Sequence, residues 1–132
     1  MKIGFIGGGN MAFAIAGGVL SAGLCNENEL FISDVSETAL AKFRELGISA
    51  DTSYECALQG EFIVLAVKPF IYPAALAELK NYPLICLGRE TMTFAFYHQL
   101  FLSHGLELEP DTEAATTDQI LPLVKSDLGL AF

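Results

Sequence analysis

Short unbroken apolar runs alternate along this chain with stretches whose apolar residues recur near the helical period. Ile3 to Ile6, Leu30 to Ser33, Phe62 to Val67, Tyr82 to Leu87, Glu107 to Ala115 and Leu128 to Phe132 read as strands, with Ile48 to Ala50 as a short edge strand. Phe62 to Val67 is continuous and β-branched, the pattern of a central parallel strand. Between the runs, Met11, Ile15, Val19 and Leu20 mark a helix stopped by Gly23. Ala39, Leu40, Phe43 and Leu46 mark a second, capped by Ser36 and ended by Gly47. A brief helix over Ser53 to Gly60 follows, then helices through Ala74, Ala75, Leu76 and Leu79, over Thr91 to Ser103, and from Thr117 or Asp118 to Lys125. Strict alternation of this kind predicts an α/β fold, a doubly wound and mainly parallel sheet with helices on both faces. Short connections predict one continuous sheet in a single three-layer domain spanning residues 1–132.

The first strand, turn and helix carry the chemistry. Gly7-x-Gly9-x-x-Ala12 has the spacing of a dinucleotide fingerprint and makes the expected fold Rossmann-like. In that reading Gly7 takes the tight turn, Gly9 lets the backbone approach a phosphate, and Ala12 lets helix and strand pack closely. Free amides at the helix start, aided by the helix dipole, would hold the pyrophosphate. Asp34 ends the second strand 25 residues beyond Gly9, near the spacing at which a carboxylate meets an adenosine ribose. Lys68-Pro69 ends the strand of Phe62 to Val67, at the end where such sheets bind ligands.

Composition narrows the partners. Of 132 residues, 52% are hydrophobic, which excludes a disordered chain and leads us to expect self-association as a homodimer. A net charge of -9 argues against nucleic acid and anionic membrane as partners, while an amide-lined pocket can still take phosphate. Lys2 before an apolar run suggests a signal peptide, but three successive glycines and Asn10 oppose it, and the rest of the chain holds no apolar stretch that spans a bilayer. A cytoplasmic protein is expected. Cys25, Cys56 and Cys86 read as reduced core thiols, and His98 and His104 are spaced wrongly for a shared metal, so no metal ligand is assigned.

Residues 1 to about 80 resemble the N-terminal part of pyrroline-5-carboxylate reductase. The resemblance rests on Ile6-Gly-Gly-Gly-Asn-Met-Ala12, on Ala14-Ile15 with Gly17-Gly18, and on Leu65-Ala-Val-Lys-Pro69. It implies that Gly7, Gly9, Asn10 and Met11 hold the pyrophosphate of NAD or NADP, with Ala12 counted in the cofactor site for the close helix packing it allows. It also implies that Ser33 and Asp34 meet the adenosine ribose, and that Ala66, Val67, Lys68 and Pro69 lie by the nicotinamide. Val35 stands where many members carry Arg against a 2′-phosphate, and Ser53 where Asn is frequent. From about Asn81 the chain resembles part of the effector-binding domain of LysR-type regulators. The likeness lies in Tyr82-Pro-Leu-Ile, Gly88-Arg-Glu-Thr, His104-Gly, Glu113 to Lys125 and Leu128-Gly-Leu-Ala-Phe132.

The first resemblance implies strand order 3-2-1-4, and the second places its own first strand between its second and third. Together they predict a recombined or designed chimera with a partial NAD(P) site that binds weakly and lacks reductase catalysis, so no catalytic residue is assigned. The alternatives are a chimera with the fold alone and no ligand, and a fragment of a natural reductase-like oxidoreductase.

Overall fold

The apolar runs of the first half become parallel strands in the computed structural model, which describes residues 1–131. β1 (Ile3–Ile6) pairs with β2 (Leu30–Ser33) on one side and with β4 (Phe62–Leu65) on the other, and β2 pairs with β3 (Ser49–Asp51). The order is β3-β2-β1-β4, as the first resemblance implies. β1 and β2 are buried along their whole length, which is why they read as runs without alternation. On one face Ile3, Phe5, Leu30 and Ile32 pack with Ala12 and Ala16 of α1 (Asn10–Ser21) and with Leu40 and Phe43 of α2 (Glu37–Arg44). The backbone of Ala57 in α3 (Tyr54–Ala57) lies against Gly4.

The buried stripe of α1 differs from the expected one. Met11 and Ile15 are 59% and 38% exposed, whereas Ala12 and Ala16 are shut in at 0% and 1%. A helix that follows a glycine turn lies close on its strand, and only a methyl group fits between them. The larger side chains are displaced to its flanks. In α2 the expected face holds at Leu40 and Phe43, while Leu46 beyond the helix is 46% exposed.

The chain divides into two compact units, Met1–Lys68 and Pro69–Phe132. In the second, α4 (Tyr72–Leu79) leads to β5 (Leu84–Leu87), which lies between β6 (Thr112–Ala114) and β7 (Leu130–Ala131) in parallel register. That is the order the second resemblance implies, and it is also the order of β2-β1-β4. A first strand in the middle therefore does not identify a family. α5 (Met92–Ser103) and α6 (Thr117–Lys125) supply the crossovers, and Leu76, Ile85, Phe101 and Leu108 are fully buried. Phe132, the end of the expected last strand, lies outside the described residues.

One continuous sheet is therefore corrected to two. β5 takes β6 and β7 as its partners, so β4 is an edge strand of its own ladder among the described residues and not the expected central one. Its burial agrees, since Phe62 is 50% exposed and Ile63 to Leu65 are half-buried. β6 is also shorter than the run from Glu107, because Glu107 to Asp111 make no ladder beyond the Asp111 amide donating to the Leu84 carbonyl at 2.8 Å.

Thr91 caps α5 from both sides of the turn: its Oγ1 accepts from the Phe94 amide at 3.1 Å and donates to the Gly88 carbonyl at 2.8 Å. Thr91→Ala is expected to lower stability by about 1–2 kcal/mol, read from urea unfolding. A midpoint equal to the parent's would show that the cap contributes nothing. Cys56 and Cys86 are core thiols and Cys25 is half-buried. Burial pushes all three thiols up, away from reactive thiolate.

Candidate functional site

Parallel register places three chain segments at one end of the first sheet. Ile6 stands opposite Ser33 on one side and Leu65 on the other, so the turns that begin at Gly7, Asp34 and Ala66 leave the sheet together. The Gly7 amide donates to the Ser33 carbonyl at 2.7 Å, and the Ala66 amide donates to the Ile6 carbonyl at 2.8 Å. These bonds extend the ladder one residue past each strand. The crevice above β1, between neighbours reached by opposite crossovers, is where sheets of this type take ligands.

Each glycine in the turn has a separate reason. Gly7 sits at φ +106°, and a Cβ there would lie 2.5 Å from the Ala66 carbonyl oxygen. Gly8 is buried, and a Cβ on it would stand 3.3 Å from Asp34 Cβ and 3.4 Å from the Phe43 ring. Gly9 is different. Its backbone is extended at φ -73° and ψ -170°, which any residue adopts, and a Cβ there would meet no atom of the described residues within 4 Å beyond its own chain neighbours. Folding makes no demand for glycine at this position.

Gly9 is also the N-cap of α1, and no side chain caps that helix. The first turn of α1 carries no acidic residue. Amides at a helix start have no intrahelical acceptor, and with the dipole they form a positive, donor-rich surface. Gly9, Asn10 and Met11 are exposed there, and Ala12 is buried beneath them. Open space over uncapped amides fits a phosphate group.

Asp34 fixes the other side of the crevice. Its Oδ2 accepts from the Gly8 amide at 2.6 Å, and its Oδ1 accepts from the Ser36 amide at 2.8 Å. Ser36 in turn caps α2, its Oγ accepting from the Ala39 amide at 3.3 Å. Ser33 is 3% exposed, beneath Asp34. At the third segment Ala66 is buried, Val67 half-buried and Lys68 exposed, while Pro69 begins a single turn of 3-10 helix at the start of the second unit.

The structure thus brings Gly7, Gly9, Asn10, Met11, Ala12, Ser33, Asp34, Ala66, Val67 and Lys68 to one end of one sheet. Gly8 was missed by the sequence reading, because the fingerprint names only its neighbours. Its signal was present in the sequence: a third small residue in the turn leaves room for the acid that follows the second strand.

Comparison with known proteins agrees with the Rossmann-like fold. Residues 2–84 match the family model described as NADP oxidoreductase, coenzyme F420-dependent. Pyrroline-5-carboxylate reductase 3 of Danio rerio is 42% identical over 82 residues, covering 61% of this chain and 28% of that protein. Pyrroline-5-carboxylate reductase of Methanosarcina acetivorans is 37% identical over 82 residues, covering 61% and 30%. Pyrroline-5-carboxylate reductase 3 of Mus musculus is 32% identical over 124 residues, covering 93% of this chain and 44% of that protein. The chain spans less than half the length of each of these relatives. The mouse alignment also runs across Lys80 and Asn81, so the reductase likeness does not stop where the sequence reading ended it. A LysR-type segment finds no support in these relatives, and α4 and β5, on either side of that junction, belong to one compact unit. With a Rossmann-like, NAD(P)-binding fold and a family match over more than half its length, the chain belongs to the family of F420-dependent NADP oxidoreductases.

Proposed function

We propose that the chain is the dinucleotide-binding part of a natural oxidoreductase resembling pyrroline-5-carboxylate reductase, with the cofactor pyrophosphate held by the amides of Gly9, Asn10 and Met11. One observation carries this reading: Gly9 is a glycine that folding does not require, facing open space over an uncapped helix start. At a helix N-cap a Ser, Thr, Asn or Asp would satisfy one of the free amides with its own side chain, whereas glycine leaves them all open to an approaching group. A pyrophosphate is such a group.

The remaining roles follow from position. Gly7 and Gly8 shape the turn, Ala12 lets α1 lie close under the phosphate, and Asp34, with buried Ser33 beneath it, faces the adenosine ribose. Ala66, Val67, Lys68 and Pro69 border the nicotinamide, which when bound gives or accepts a hydride. The chain's own residues bind and orient the cofactor. The mouse alignment favours a natural reductase over the chimera, since it continues through the expected junction. Substrate groups would come from the part of the relatives that this chain does not match, so the 132 residues alone are expected to bind dinucleotide without turnover.

Amide chemical shifts recorded while NADH is added test the assignment. Shifts are expected at Gly9, Asn10 and Met11 and around Asp34. Shifts centred instead on the Gly88 to Thr91 turn of the second unit would overturn it.

A further inference from the structure

We propose that this site selects NADH over NADPH, with Asp34 as the specificity-determining residue; the inference rests on the dinucleotide reading above. The Asp34 carboxylate is fixed in place. Gly8 of the phosphate turn holds one oxygen at 2.6 Å and Ser36 at the start of α2 holds the other at 2.8 Å. A carboxylate offers about four lone-pair sites, so two amide donors leave acceptors for the 2′- and 3′-hydroxyls of a ribose. A 2′-phosphate offers no such donor and brings about two further negative charges against a carboxylate that cannot turn away.

The two cations of α2, the helix that starts at this strand end, are both engaged by other groups. Lys42 lies over two aromatic rings, its Nζ 5.0 Å from the Phe13 centroid and 5.3 Å from that of Phe43. Arg44 donates through Nη1 to Glu37 Oε2 at 2.6 Å and through Nε to the Ala50 carbonyl at 2.8 Å. Val35, directly after Asp34, is 88% exposed and uncharged. The start of α2 is no phosphate site either. Its Ser36 amide is taken by Asp34, its Ala39 amide by the Ser36 hydroxyl, and Glu37 adds a negative charge to the first turn.

The test is a pair of equilibrium titrations of the whole chain, with NADH and NADPH, followed by nicotinamide fluorescence at low ionic strength. NADH is expected to bind about 100-fold more tightly, the scale of like-charge rejection in a fixed site. Asp34→Ser should bring the two affinities within about threefold, and Val35→Arg, at an exposed position, should improve NADPH about tenfold while leaving NADH unchanged. Thermal melting of each variant reports folding. Should Asp34→Ser unfold, Val35→Arg decides alone. Equal or tighter NADPH binding by the parent overturns the selection and leaves the dinucleotide site standing. Binding of neither nucleotide overturns both.

Discussion

Gly9→Val is expected to weaken NADH or NADPH binding at least about 100-fold, close to 3 kcal/mol, while the protein melts nearly where the parent does. The two effects separate because of where the new side chain goes. Beyond its two chain neighbours, no atom of the described residues lies within 4 Å of a Cβ at Gly9, and the backbone there is already in a conformation open to valine. The only folding penalty is that of exchanging glycine for a β-branched residue at a helix N-cap, about 1 kcal/mol. On the proposed reading, the isopropyl group takes space that a phosphate held by the Asn10 and Met11 amides needs. Isothermal calorimetry paired with a thermal melt measures both quantities. Undiminished affinity would show that no phosphate approaches Gly9.

Two residues earlier the same class of substitution should have the opposite character. Gly7→Ala is expected to destabilise the fold by about 3–5 kcal/mol, lowering the melting temperature by at least about 10 °C. Strain at φ +106° accounts for about 1–3 kcal/mol. The remainder comes from contact, since the new methyl would stand 2.5 Å from the Ala66 carbonyl oxygen and 2.9 Å from Val67 Cγ1. The Ala66 backbone cannot withdraw without breaking its 2.8 Å bond to Ile6. Such a loss is a large share of the 5–15 kcal/mol that holds an ordinary domain together. A variant within about 1 kcal/mol of the parent in urea unfolding would show that the turn is more pliable than its geometry indicates.

The strands were legible because burial on both faces leaves an apolar run that no helix period explains, as at Ile3–Ile6, Leu30–Ser33 and Leu84–Leu87. Ser36 was legible as a cap for an equally local reason, a hydroxyl placed to receive a nearby amide, whereas Thr91 was read as the first residue of its helix and is in fact the cap before it. Strand neighbours were not. Whether Leu84 to Leu87 joins Phe62 to Leu65 or Thr112 to Ala114 depends on nonlocal pairing, and the run reads the same either way. The face of α1 misled because apolar period marks hydrophobicity, while the close seat on β1 required the smallest side chains, Ala12 and Ala16. At the site, spacing alone gave Gly7, Gly9 and Asp34. The bond from Gly8 to Asp34 could not be read, since it depends on the path of the turn through space.

That bond bears on how a ligand would be received. With Gly7 tied to Ser33 and Gly8 to Asp34, the glycine turn is anchored to the second strand at two successive amides. Three glycines in a row would otherwise be among the most mobile segments a chain can have, and ordering them on contact would cost affinity. Here the ordering takes place during folding. On the proposed reading a nucleotide arriving at Gly9 would meet an already ordered turn, so association should be fast, and changes in affinity among variants of the turn should show chiefly in how quickly the nucleotide leaves.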